Sequence, residues 1–382
     1  MTQPPSDREQ TAVHYDPLPL PRRSAGVSVR VLAIAVALCA LLTLALIIPV
    51  PYVVRTPGPT VDTLGESGET TLITVPADQE FDSEGELRLT TVSAYGGPGY
   101  PVGAVRVLQS LFDDTSSVLP REALFPDDQS AEETAEASQV QMSTSQENAT
   151  VAALEELGYE VPATLTVAGV VEGTGAVDVL SEGDLLLGVG SSEDEVTEVN
   201  GMRELSEALA VIPAGTEASV LIERDGEDQV VALVTGDDGE GGSVLGVLVA
   251  PEVTPPVQVD IALENIGGPS AGMMFALGIM ERLTEGDATG GEVIAGTGTM
   301  SMSGEVGAIG GIQQKLAGAR RDGATAFLAP ADNCDEVVGH EPEGLTVVAV
   351  STLGEAWDAV TAIGAGESAD LPTCEDVLAQ AD

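Results

Sequence analysis

Lysine is almost absent from this 382-residue chain: Lys315 is the only one, beside thirteen arginines. Positive charge is scarce altogether. Fourteen Lys and Arg stand against 62 Asp and Glu, a formal charge of −48. Phosphate contacts need a basic face, so nucleic acid is not an expected partner. The acidity is spread along the chain and reads as a solvated, self-repelling surface. Histidine occurs twice, His14 and His340, and cysteine three times, Cys39, Cys334 and Cys374. No metal-ligand spacing or His-Glu-x-x-His helix is present, so neither metal nor cofactor is expected. No Gly-Lys-Ser/Thr occurs, so there is no phosphate-binding loop. Aromatic residues make up 3%. An apolar fraction built from Ala, Val, Leu and Ile favours small-residue α/β packing over an aromatic-rich sandwich.

The solitary lysine carries chemical meaning. A surface cation can be either residue, but a group that deprotonates near neutral pH can hardly be arginine. Lys315 follows Ser270 by 45 positions, and Ser270 sits in Gly267-Gly268-Pro269-Ser270-Ala271-Gly272. Ser270 is expected to open an apolar helix running to about Leu283, next to unpaired backbone N–H groups and the positive end of the dipole. Such donors stabilise an oxyanion. Serine is equally a common helix N-cap. Gln313-Gln314-Lys315 begins a second helix after a glycine-rich strand and turn, Gly304 to Ile312. In a water-poor pocket the amine of Lys315 would lose its proton and act as base to Ser270.

Residues 31–48 carry no charge, and the apolar stretch continues to Val54. That length predicts a membrane-spanning signal anchor over 29–54. Arg22, Arg23 and Arg30 precede it, which predicts a cytoplasmic, disordered tail over 1–28 and everything after about 55 outside. Residues 55–162 read as a β/α region, with a mobile acidic stretch from Asp113 to Glu147 leading into a helix near Ser145–Leu157. Cys334 and Cys374 lie forty residues apart; an oxidising compartment permits them to pair, and spacing alone does not decide it.

Residues 163–236 contain a strand, the turn into Leu180, Gly183-Asp184-Leu185-Leu186, Asn200-Gly201, an amphipathic helix with Leu205, Leu209 and Ile212, and a hairpin across Asp225-Gly226. This order resembles a PDZ domain of the bacterial protease-associated kind. The resemblance implies binding of extended peptides or C-termini by strand addition.

From 243 to 365 strand and helix alternate. Gly268-Pro269-Ser270-Ala271-Gly272, Gly296-Thr297-Gly298, Gly304-Glu305-Val306, Ile309-Gly310-Gly311-Ile312, Lys315 and Ala329-Pro330 with Asn333 follow one another. The order resembles the proteolytic domain of Lon proteases, and the whole layout resembles the membrane-anchored, PDZ-containing Lon-like proteases of bacteria. The resemblance implies Ser270 as nucleophile, Lys315 as general base and Thr297 as the group orienting its amine, with Gly268, Pro269, Ala271 and Gly272 shaping the loop. Three features depart from ATP-dependent Lon. The ATPase is absent, Ile266-Gly267 stands where Lys-Asp is usual, and Gln313-Gln314-Lys315 replaces Lys-Glu-Lys. The expected fold class is therefore α/β (α+β): an N-terminal transmembrane helix, a small β-rich PDZ domain over 163–236, a C-terminal Lon-type domain over 243–365 and a tail over 366–382. The expected function is ATP-independent endopeptidase action on flexible polypeptides at a bacterial cell membrane. Lipid would contact one span, and a homo-oligomer is possible. A non-catalytic adaptor and a self-processing protein are the alternatives.

Overall fold

The computed structural model describes residues 28–67, 70–125, 130–237, 242–263 and 266–381. They fall into two compact units, 1–48 and 49–382. In the first, α1 spans Val29–Ile47. The expected tail over 1–28 lies outside the described residues apart from Ser28.

The expected membrane span is corrected. Among the described residues, no helix is long and apolar enough to cross a membrane. α1 has 19 residues, and Arg30 lies in its first turn. The apolar run does not continue as helix to Val54. Pro49 cannot extend it and instead bridges Gly103. Tyr52–Asp62 is a strand, β1, in which Val53 and Val54 are fully buried. Their hydrophobicity belongs to a protein core. Single-pass membrane localisation and a lipid partner through one span fall with the helix.

The second unit is built on a mixed sheet. β1 is flanked by β2 (Glu86–Tyr95) and β3 (Ser117–Pro120), both antiparallel to it. The sheet continues from β2 through β9 (Val293–Gly296), β10 (Ala326–Pro330) and β11 (Thr346–Val350), all parallel. β1, β2 and β3, drawn mostly from the expected β/α region over 55–162, thus form half of the sheet that holds the C-terminal segment. Alternation along the central strands sends side chains to two cores. Leu87, Leu89, Ile294, Leu328 and Val348 face one layer. It contains α2 (Ala131–Glu156), α4 (Gly272–Leu283) and α6 (Leu353–Gly364). Ala295, Phe327, Ala329 and Val347 face the other, with α5 (Ile312–Arg321) and α7 (Cys374–Ala381). A Cys334–Cys374 disulfide lies in that second core, so residues 374–381 are a packed helix rather than a loose tail.

The acidic stretch expected to be mobile contributes most of α2. Its start is set by a capping box. Ser130 Oγ accepts from the Glu133 amide at 3.2 Å, and the Glu133 carboxylate accepts from the Ser130 amide at 2.8 Å. One side then buries Met142, Ser145, Ala149 and Ala153.

Between the two halves of the large sheet, the chain forms a second, antiparallel sheet. Its order is β7 (Glu227–Val234), β6 (Glu217–Arg224), β5 (Leu185–Gly190), β4 (Ala163–Val170) and β8 (Val247–Val253). With α3 (Met202–Ala210) it encloses its own core of Leu165, Leu186, Val220 and Ile222. β8 pairs along the whole of β4, so this unit extends past the expected boundary at 236. The hairpin turn holds Asp225 at φ 57° and Gly226 at φ 81°, as a tight two-residue β-hairpin requires.

Candidate active site

Ser270 lies just before α4, not within it. Ala271 occupies the cap position and no side chain caps the helix, so the Ser270 hydroxyl is free for other partners. The loop before it turns at Gly268, at φ 90°, a conformation that glycine adopts without strain. Neighbouring elements hold this loop by hydrogen bonds. The Gly268 amide donates to the Ser138 carbonyl at 3.1 Å. Ser145 Oγ donates to the Pro269 carbonyl at 3.0 Å. The Gly298 amide donates to the Ser270 carbonyl at 3.0 Å. Gly272 fits tightly, because a Cβ there would come within 2.8 Å of Met300 Cβ and Ser145 Oγ.

Lys315 lies on the first turn of α5, which follows a left-handed Gly311 at φ 76°. Asn333 fixes that turn. Its Oδ1 accepts from the Ile309 amide at 2.9 Å and its Nδ2 donates to the Ile309 carbonyl at 3.0 Å. The lysine side chain then runs inward and is 3% exposed. Nζ donates to Ser270 Oγ at 2.9 Å and to Thr297 Oγ1 at 2.7 Å. Burial pushes the amine down to about 7, and the Arg55 guanidinium adds to the effect.

Thr297 follows β9 and is fully buried. Its hydroxyl proton goes to the Ser270 carbonyl at 2.9 Å. With that proton committed, Thr297 Oγ1 can only accept from Lys315. A neutral amine that donates to Thr297 keeps its lone pair for Ser270. The structure therefore brings Ser270, Lys315 and Thr297 into one hydrogen-bonded chain, with Gly268, Pro269 and Ala271 on the wall beside them.

These residues open into a cavity of about 570 Å³. Met142, Ile266 and Ile309 give it an apolar lining, Thr90 to Ser93 of β2 a polar strand, and Arg55 of β1 a cation. Motif reading missed Ser138, Met142 and Ser145 of α2, although the Ser130-x-x-Glu133 capping box signals that helix. It also missed Arg55, for which no local motif exists. The amides of Gly268, Gly272 and Met273 are taken by Ser138, Pro269 and Gly298 carbonyls. Those of Ser270 and Ala271 have no partner among the described residues.

Comparison with known proteins bears on the same segment. Residues 264–361 match the family model of the Lon protease (S16) C-terminal proteolytic domain. Lon protease 1 of Bacillus subtilis (strain 168) is 40% identical over 94 residues, 24% of this chain and 12% of that protein. Lon protease of Helicobacter pylori (strain ATCC 700392 / 26695) is 39% identical over 95 residues, 24% of this chain and 11% of that protein. The chain thus spans about an eighth of the length of these curated relatives. Among solved structures, the PDZ domain of the SdrC-like protein from Listeria monocytogenes is similar at 16% identity with a TM-score of 0.20. That likeness covers 23% of this chain and 87% of that one. Residues 264–361, which include Ser270, Thr297 and Lys315, thus match a Lon-type (S16) proteolytic domain, and the matches support a serine-type peptidase.

Proposed function

We propose that the chain is an ATP-independent serine endopeptidase that cleaves flexible or unfolded polypeptides through a Ser270–Lys315 dyad. One observation carries the reading: a lysine amine buried beside a serine hydroxyl at 2.9 Å, with its pKa lowered to about 7. Few structural roles warrant burying an amine so deeply without a carboxylate.

In this reading the neutral Lys315 amine accepts the Ser270 proton as Oγ attacks the scissile carbonyl. The free amides of Ser270 and Ala271 are the donors for the oxyanion. Lys315, now an ammonium, returns the proton to the leaving amine. Water then hydrolyses the acyl-enzyme with Lys315 as base again. Thr297 does not react; it fixes which way the amine points. The chain has no phosphate-binding loop, so nothing in it would unfold a substrate, and extended segments fit the cavity best. The antiparallel unit, residues 163–253, is the proposed recruiter of such segments.

The test is cleavage of an unfolded casein-type substrate by the full chain without ATP, beside Ser270→Ala and Lys315→Arg. The arginine keeps the charge and cannot serve as base. Cleavage by the unaltered chain alone is expected. Activity surviving in Lys315→Arg would refute the dyad, and activity in none would favour a non-catalytic adaptor.

A further inference from the structure

The cavity contains a second cation, Arg55, which makes no hydrogen bond to Ser270, Thr297 or Lys315. Five other arginines, Arg88, Arg203, Arg224, Arg282 and Arg321, are each paired with a carboxylate. The Arg55 guanidinium makes no hydrogen bond and no ion pair among the described residues, yet it is half-buried and lines the same cavity as Ser270. The acidic group that acts on it through space is Glu336. That carboxylate already accepts from Asn333 Nδ2 at 3.2 Å. Gly310 lies against the guanidinium: a Cβ there would be in ordinary contact with it, 3.5 Å from Arg55 Nη2. In a chain with 62 acidic residues, an arginine left without a carboxylate in a cavity needs a reason. Partial burial of an unpaired guanidinium is unfavourable, and such exceptions concentrate at functional sites.

We propose that Arg55 is a specificity-determining residue: its guanidinium binds a carboxylate of the bound polypeptide close to the bond that Ser270 attacks. The planar fork presents paired donors that match a carboxylate edge. The acidic molecule repels acidic segments at long range, but that field is screened beyond about 8 Å at physiological ionic strength. No acidic side chain is among the described residues that line the cavity, where Arg55 and Lys315 are the ionisable groups. The carboxylate has two sources, an Asp or Glu side chain within the substrate or the free end of a chain. The assignment rests on the peptidase reading for its consequence, but binding can be measured without hydrolysis.

The experiment uses the full chain carrying Ser270→Ala and fluorescent peptides with amidated ends, in which one Glu or one Gln is moved along an otherwise neutral sequence. A second pair has no acidic side chain and differs only in a free or amidated C-terminus. At one Glu position, or with the free terminus, affinity is expected to rise about tenfold over the neutral partner, the scale of one charge-assisted contact. Adding Arg55→Gln should bring that ratio to about one, while Arg55→Lys, which keeps the charge, should retain part of it. Preference in the Glu set assigns a side-chain subsite; preference only in the second pair assigns a terminus. Equal affinities throughout, or a preference surviving Arg55→Gln, would overturn the proposal. Hydrolysis by the unaltered chain with no acid preference would sink the Arg55 assignment and leave the peptidase standing. Acid-selective binding through Arg55 with no hydrolysis would do the reverse.

Discussion

Lys315 is the residue whose behaviour is most constrained by its surroundings. Its amine, at about 7 against an ordinary 10.5, is half neutral at physiological pH. In the proposed dyad the neutral form is the base, so kcat/KM should rise with pH through about 7 and level off above it. A flat profile between pH 6 and 9 would count against Lys315 as base. The stability sign follows from the same shift. Between about 7 and 10.5 the unfolded chain holds a proton that the folded chain lacks. This group's contribution to stability is therefore greatest above 10.5 and is lost as pH falls through 7. Lys315→Met keeps much of the stem without the amine. It is expected to abolish cleavage yet raise stability by on the order of 1–2 kcal/mol at pH 7, with a smaller gain at pH 10, read from urea midpoints at both pH values. The amino-acid sequence made this residue conspicuous by its rarity. Arg55 gave no such sign, since an arginine among thirteen is chemically anonymous until its neighbours are known.

The dyad depends on two elements meeting, and each is held by a small number of polar contacts. On the α5 side, Asn333 accepts and donates to both backbone groups of Ile309, and it is almost fully buried. Asn333→Ala would leave a buried N–H and C=O unpaired, at a cost of about 2–3 kcal/mol. The Gly310–Gly311 turn would loosen and move Lys315. A fall in both urea midpoint and kcat is expected, with kcat down at least about tenfold. Full activity in the variant would show that the turn is set by other contacts. On the α4 side, α2 carries the equivalent role through Ser138 and Ser145. The second half of that helix, near Ser145–Leu157, was legible in the amino-acid sequence, but its first half, from Ala131, was not. Its buried positions are filled by Ala and Ser as much as by large apolar residues, so hydrophobic periodicity is faint. The Asp225-Gly226 hairpin was legible, because its conformation is decided by two residues locally.

At the scale of the whole molecule, the second sheet is an excursion between two halves of the first. The strand bearing Arg55 and the helix bearing Lys315 are far apart in the chain and adjacent in space. Asp322, at the end of α5, accepts from both the amide and the hydroxyl of Thr60 in β1. Closure of the last helix is covalent. Cys334 and Cys374 are joined with a Cα–Cα distance of 4.8 Å and both are buried. A forty-residue loop is closed by this bond, for which chain entropy gives about 4 kcal/mol. Reduction, or Cys374→Ser, is expected to lower the unfolding free energy by about 2–4 kcal/mol. Cleavage should persist at low temperature, since the disulfide does not line the cavity. An unchanged midpoint after reduction would refute the estimate. The amino-acid sequence by itself marked Ser270, Thr297 and Lys315 as the candidate site, because they stand in local motifs whose turns and helix starts are short-range matters. It also determined the hairpins and the alternation of the central strands. Only the tertiary structure decided that the apolar run beyond Ile47 enters a core instead of extending a helix. Val54 pairs with Tyr95 of β2 and Val118 of β3, and Val53 with Leu119 of β3, pairings between distant positions that no local pattern encodes. The same holds for Arg55, whose place in the cavity is a consequence of strand pairing rather than of any sequence around it.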